Sequence, residues 1–335
     1  MNPGPALPLE APLRREALRA SARTLAGSSA LALGLAAGTR PAAASTAPPA
    51  ARGSARASNP ATMITRRPVV TSDGISLSLI SAGKPSALPP FLFLPGWCMP
   101  AELFRPQIEF FAASRQVWAL DPRGQGESQI AESGYDANRR AKDLFECLGR
   151  LKRAPIVVAW SLAGIEMLHG LSRWGDSRLA ALVLVDSSLG EGPAGSNEGI
   201  KAFREQLETA REATLRDFAQ AIFRHPQSEA RLDELQAAMA RVPLAASQAM
   251  LDYQLPRETL RDTARGFRKP LLVTCIPQYR QQAALHKAAR PATQVELFEE
   301  AGHALFADEP DRFNRVLDTF SRTRVAPAAT ARRKR

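Results

Sequence analysis

The chain has 335 residues, 45% of them apolar, and carries a formal charge of +11 with a pI near 10.3. That balance invites a nucleic-acid reading, yet residues 1–60 hold seven arginines against two glutamates, and residues 321–335 hold six basic groups and no acid. The body between these ends is formally neutral, so the charge lies on the ends and not on a folded face or groove, and neither nucleic acid nor a highly charged substrate is favoured.

At the N-terminus, Arg14-Arg15 with Leu18 and Arg19 precedes a mild apolar run at 24–38, and Ala42-Ala43-Ala44 forms a small-residue site suited to signal peptidase. Paired arginines before a weakly hydrophobic segment resemble a twin-arginine export signal. Residues 1–44 are therefore expected to direct the protein to the periplasm or the exterior, with a misplaced start codon and a cytoplasmic protein as the alternative. The apolar run is short and contains glycine, so no stable membrane insertion is expected after processing. Residues 45–60, largely Ala, Pro, Ser and Arg, read as a disordered linker. Residues 61–320 fit one large α/β domain, and 321–335 a solvated, flexible basic tail.

Within the body, residues 75–80 follow an Asp-Gly turn and read as an antiparallel leading strand. Residues 90–94 form a buried strand that runs into Pro95-Gly96-Trp97-Cys98, where glycine lets the backbone swing over a neighbouring strand end. A strand at 116–120 opens into Asp121-Pro122-Arg123-Gly124-Gln125-Gly126-Glu127-Ser128, a turn expected to tie its own backbone together through Asp121 and Arg123. The helix expected over 137–151 places Ala141, Leu144, Leu148 and Leu151 on one side, leaving Arg139, Arg140, Lys142 and Glu146 for water.

Residues 156–159 read as a buried strand that ends abruptly at Ser161, with a helix over 162–172 beyond it. A serine on a sharp strand-to-helix turn needs small residues two before and two after, and Ala159 and Ala163 occupy those places. A strand at 181–185 leads into Asp186-Ser187-Ser188, and this alternation predicts parallel βαβ units with their strand ends along one edge. From 190 to 266 the pattern changes to charged helices, 203–223 and 230–253, expected to form a cap that shapes selectivity and excludes water. The sheet resumes at 269–274 and at 293–298, which delivers Glu299-Glu300-Ala301-Gly302-His303-Ala304, and a helix at 311–320 closes the domain.

The order of a Pro-Gly-Trp loop, an Asp-x-Arg-Gly-x-Gly-x-Ser turn, a serine elbow and a late Gly-His resembles the α/β-hydrolase family over roughly residues 69–320. The resemblance implies a mostly parallel central sheet flanked by helices, with a helical cap inserted. It makes Ser161 the nucleophile and His303 the general base, in preference to His169, His225 and His286. The amides of Trp97 and Leu162 would be the oxyanion donors, and the Trp97 side chain would line the acyl pocket. The family most often supplies its acid after the strand at 271–274, but residues 263–295 contain no Asp or Glu. Asp186, at the family's alternative position, takes that role, with Glu191 as a weaker substitute.

The reaction so implied is hydrolysis of a small or medium carboxylic ester through an acyl-enzyme, without cofactor or metal. Thioester or lactone cleavage and peracid formation, as in cofactor-free haloperoxidases, would use the same apparatus. A serine nucleophile argues against the haloalkane and epoxide branches, where it is an aspartate. The rival from another class is a catalytically silent binding protein, suggested by the missing late acid and the alanines of the elbow. Cys98, Cys147 and Cys275 show no metal spacing; Cys147 and Cys275 read as buried free thiols, while Cys98 lies beside the expected oxyanion donor with no base to pair it, and Gly124-x-Gly126 lacks the continuation of a nucleotide loop. Oligomeric state leaves no mark in the sequence.

Overall fold

The computed structural model describes residues 63–193 and 196–325. The segments expected to direct export and to serve as a linker, and the last ten residues of the expected basic tail, lie outside them. Eight strands, β1 (Thr65–Val70), β2 (Ser76–Ala82), β3 (Phe91–Leu94), β4 (Val117–Leu120), β5 (Ile156–Trp160), β6 (Ala181–Val185), β7 (Leu271–Cys275) and β8 (Gln294–Leu297), form one sheet in the order β1-β2-β4-β3-β5-β6-β7-β8. β1 and β2 pair antiparallel, as do β2 and β4. Every later pairing is parallel.

Burial decides which strands take the centre. Every residue of β3, β4, β5, β6 and β7 is buried, as expected where helices cover both faces of a parallel sheet. Helices α1 (Arg105–Ala112), α2 (Ala137–Arg150) and α3 (Leu162–Trp174) follow β3, β4 and β5 in turn. After β6 come α4 (Glu198–Thr209), α5 (Arg211–Ala221), α6 (Glu229–Ala240), α7 (Leu244–Ala249) and α8 (Arg257–Gly266). Of these, α8 packs against α3 beside the sheet, and the four before it make the cap. α9 (Arg280–Ala289) precedes β8, and α10 (Leu305–Asp308) and α11 (Pro310–Phe320) complete the fold.

Within the elements and their burial, the structure departs from the sequence expectations as follows. Strand β1 is additional to them: its residues, Thr-Arg-Arg-Pro-Val-Val, are exposed except for Val69, which fits an edge strand where proline is tolerated. The two long cap helices are each divided, the first at Ala210, whose φ/ψ of −148°/47° is not helical, and the second before Pro243, which sits at the N-cap of α7. Arg140, expected in water, is instead buried, and its guanidinium pairs with the fully buried Glu166 of α3.

Candidate active site

Ser161 sits between the last residue of β5 and the first of α3 with φ/ψ of 57°/−121°. A non-glycine residue in that region is strained and persists only where its surroundings fix it. Here its N–H donates to Val185 O at 2.9 Å, and its carbonyl accepts from Ser187 Oγ at 2.7 Å. Both anchors come from β6 and the loop after it. Ala159 and Ala163 are buried on either side of the turn.

Asp186 also has a positive φ, 44°, at the end of β6. Its N–H donates to Thr274 O at 2.8 Å, and its Oδ1 accepts from the Ile276 N–H at 3.0 Å. The carboxylate is thereby held across the ends of β6 and β7. The loop after β7, which lacks an acid of its own, supplies a backbone donor to Asp186 instead.

His303 joins the two. Its Nδ1 lies 2.6 Å from Asp186 Oδ2 and its Nε2 lies 2.9 Å from Ser161 Oγ. All three side chains are buried. With a carboxylate at Nδ1, the neutral imidazole carries its proton there and presents Nε2 as an acceptor to the serine hydroxyl. The loop bearing the histidine is fixed on two sides. Trp160 Nε1 donates to His303 O at 2.9 Å, and the Ala304 N–H donates to Ile222 O of the cap side at 2.8 Å. Gly302 permits this approach, because a Cβ there would come within 2.7 Å of Arg224 N and Ile222 O.

The loop after β3 lies directly against the serine. A Cβ on Gly96 would stand 2.9 Å from Ser161 Cβ, so only glycine allows this passage of the backbone. The next N–H, that of Trp97, and the N–H of Leu162 at the start of α3 donate to no other group among the described residues. The Trp97 side chain, expected in the acyl pocket, is used otherwise. Its Nε1 donates to Ser247 O at 2.8 Å, and its ring meets Phe203 and Phe218 edge-on with centroids 5.4 and 5.2 Å away. It fastens the cap to the loop.

The remaining candidates stand apart from this triad. His169 Nε2 meets Asn138 Oδ1 at 2.8 Å, His286 Nε2 meets Thr293 Oγ1 at 3.1 Å, and His225 is exposed in the cap. Glu191 is held by Arg265 through contacts of 2.7 and 2.6 Å. Asp121 accepts from the Ala101 and Glu127 N–H groups, while Arg123 pairs with Asp143 and Asp73. The three cysteines are free and buried. Burial pushes the Cys98 thiol far above its ordinary range and raises that of Cys275, with the nearby Asp186 charge adding, to about 12, so neither supplies a thiolate at neutral pH. Among the described residues, no group of three or more His, Cys, Asp or Glu side chains is placed to hold a metal ion, and no helix is long and apolar enough to cross a membrane.

Solved structures share this fold at low identity. The esterase EaEST from Exiguobacterium antarcticum superposes with a TM-score of 0.68 at 20% identity, covering 76% of this chain and 99% of its own. A bromoperoxidase from Bacillus anthracis gives a TM-score of 0.65 at 19%, covering 78% and 100%. The Cif epoxide hydrolase from Acinetobacter nosocomialis gives 0.64 at 15%, covering 77% and 88%. One fold thus carries three different reactions, and the reaction must be read from the site. The model of the alpha/beta hydrolase family matches residues 91–316, a span that contains the serine elbow, Asp186 and His303, and the chain belongs to that family.

Proposed function

We propose that the protein is a serine hydrolase that cleaves a carboxylic ester of a small or medium acyl group through an acyl-enzyme. The observation that carries this reading is the imidazole of His303 spanning Ser161 Oγ at 2.9 Å and Asp186 Oδ2 at 2.6 Å. Ser161 attacks the carbonyl while His303 takes its proton and returns it to the departing alcohol. Water, deprotonated by the same imidazole, then releases the carboxylic acid. Negative charge developing on the carbonyl oxygen meets the amides of Trp97 and Leu162. Thioesters and lactones fall within reach of the same apparatus, as does peracid formation.

A cavity of about 480 Å³ lies between cap and body near the triad, but Ser161, Asp186 and His303 do not line it, so it does not set the size of the acyl group. Its wall includes Ile165, one turn along α3 from the elbow, and Ser188, two residues beyond Asp186. Export by the twin-arginine route belongs to the same proposal and rests on the leader sequence alone. Fractionation of cells producing the full chain checks it, with Arg14→Lys, Arg15→Lys expected to retain the protein inside.

The deciding experiment is burst and steady-state release of p-nitrophenol from a series of acyl esters, with Ser161→Ala and His303→Ala beside the unaltered protein. A burst that disappears in both variants is expected. Turnover that survives Ser161→Ala would sink the serine mechanism, and absence of labelling by an active-serine phosphonate would favour the binding-protein alternative.

A further inference from the structure

A buried polar chain runs behind the loop that carries Trp97. Gln125, in the turn after β4, donates from Nε2 to Gly96 O at 2.9 Å and to Met99 O at 2.8 Å. Its Oε1 accepts from Arg140 of α2 at 2.9 Å. Arg140 in turn pairs with Glu166 of α3, Nε to Oε1 at 2.5 Å, and the Tyr253 hydroxyl donates to the same oxygen at 2.7 Å. Gln125, Arg140, Glu166 and Tyr253 are all buried. Burial and the Glu166 charge push the Tyr253 hydroxyl well above its ordinary range, so it stays a donor.

These contacts leave the Gln125 amide one orientation. A guanidinium can only donate, so the amide oxygen must face Arg140, and both amide hydrogens are then directed at the two carbonyls of the loop. Gly96 O belongs to the peptide that also carries the Trp97 N–H. The chain has no cis peptide bonds, and in a trans peptide the C=O and the N–H point in opposite directions. Holding Gly96 O against Gln125 therefore turns the Trp97 N–H away from Gln125, in a loop whose Gly96 passes directly against Ser161. Between the two clamped carbonyls stands Cys98 with φ of 56°, in a turn that the Met99 N–H also closes by donating to Gly96 O at 3.2 Å; Gln125 holds that turn from outside.

Resting on the serine-hydrolase reading, we infer that Gln125 is a positioning residue of the oxyanion site. It fixes the Gly96–Trp97 peptide, and Arg140, Glu166 and Tyr253 fix Gln125. The arrangement ties donor alignment to α3, the helix that follows the nucleophile, and through Tyr253 to the segment leading out of the cap. Preorganised donors of this kind act on the transition state and leave substrate binding nearly untouched.

The test compares the full chain with Gln125→Met, which keeps bulk and removes both donors. An ester and the matching thionoester, whose carbonyl oxygen is replaced by sulfur, are the substrates. For the variant, kcat on the ester is expected to fall roughly 10- to 100-fold with KM within about two-fold. The ratio of kcat/KM between ester and thionoester, which reports donation to the oxyanion, is expected to fall with it. A merely structural role would lower the active fraction and leave that ratio unchanged, and this result would overturn the inference. If Gln125→Met does not fold, Gln125→Asn, which keeps an amide one methylene too short, is measured in its place. A lowered ratio is again expected, and an unchanged one again overturns the inference. Failure of the unaltered protein to turn over either substrate through Ser161 would count against the serine-hydrolase reading itself and is seen before any variant is made.

Discussion

Gly96 and Ser161 are in such close contact that a methyl group on the glycine would lie 2.9 Å from the serine Cβ and 3.4 Å from its Oγ. A Cβ at that distance cannot be accommodated by a flexible side-chain end, since Trp160 O stands 3.4 Å away as well. Either the loop retreats or the hydroxyl does. Gly96→Ala is therefore expected to lower kcat about 100-fold, the scale set by misplacing reacting groups by roughly 1 Å. The same overpacking is expected to lower stability by about 1–3 kcal/mol. Wild-type kcat in the alanine variant would show that the loop can move without disturbing the serine.

Asp186→Asn separates charge from shape. Asparagine tolerates the positive φ of 44° at this position, and its Oδ1 can keep the Ile276 N–H. The other terminal atom then becomes an NH₂ group facing His303 Nδ1, which must accept, and the ring proton moves to Nε2. That nitrogen can no longer take a proton from Ser161. A fall in kcat on the order of 10⁴ is expected, with the folded structure retained as judged by circular dichroism. A loss of less than about ten-fold would remove Asp186 from the triad.

The candidate triad is legible in the sequence because the chemistry proposed for it calls for local signatures: small residues around Ser161, a glycine before His303, and strand ends that deliver each group to one edge. The acid is legible only through the resemblance: residues 263–295 contain no carboxylate, and Asp186 stands at the family's alternative position. The chain of contacts from Gln125 to Tyr253 is not legible. Arg140 lies beside Arg139 and Lys142 on a helix whose other face is apolar, and periodicity alone assigns it to water. Its partner Glu166 is on a different helix, and only tertiary packing brings the two charges together out of solvent. The break in the cap at Ala210 escapes for a related reason. The helical pattern continues across Ala210, where packing decides that the chain turns, whereas Pro243 is a stop the sequence displays, since a proline inside a helical pattern ends or kinks it.

Trp97 offers a prediction that distinguishes a cap anchor from a pocket wall. Trp97→Phe keeps an aromatic ring against Phe203 and Phe218 but loses the hydrogen bond to Ser247 O. Leaving that buried carbonyl without its donor is expected to cost about 1–3 kcal/mol of stability. The preference among acyl chain lengths should stay as it is in the unaltered protein. A variant that shifts the preferred chain length with no loss in denaturation midpoint would place the indole in the acyl site after all.

Stability should also depend on pH through His286. Burial lowers its pKa below the usual histidine value, and the charges of Arg290 and Arg265 act in the same direction, while Glu191 opposes them. The ring makes no hydrogen bond at Nδ1, 3.5 Å from a glutamate already held by Arg265, so it is read as neutral in the folded protein. The unfolded chain takes up a proton near the ordinary histidine pKa of about 6.5, at a pH where the folded chain does not. The contribution of the neutral ring is thus fully present above about 6.5 and is lost as pH falls through the lower folded pKa. His169, lowered chiefly by burial and secondarily by Arg173, works in the same direction. His286→Gln can keep a hydrogen bond to Thr293 and cannot titrate. Denaturation at about pH 7.5 and about pH 5 should show a smaller loss of stability for His286→Gln than for the unaltered protein, and for His169→Gln, His286→Gln a smaller loss again. Identical losses in all three would mean that neither histidine titrates differently in the folded and unfolded chains, with Glu191 cancelling the burial of His286.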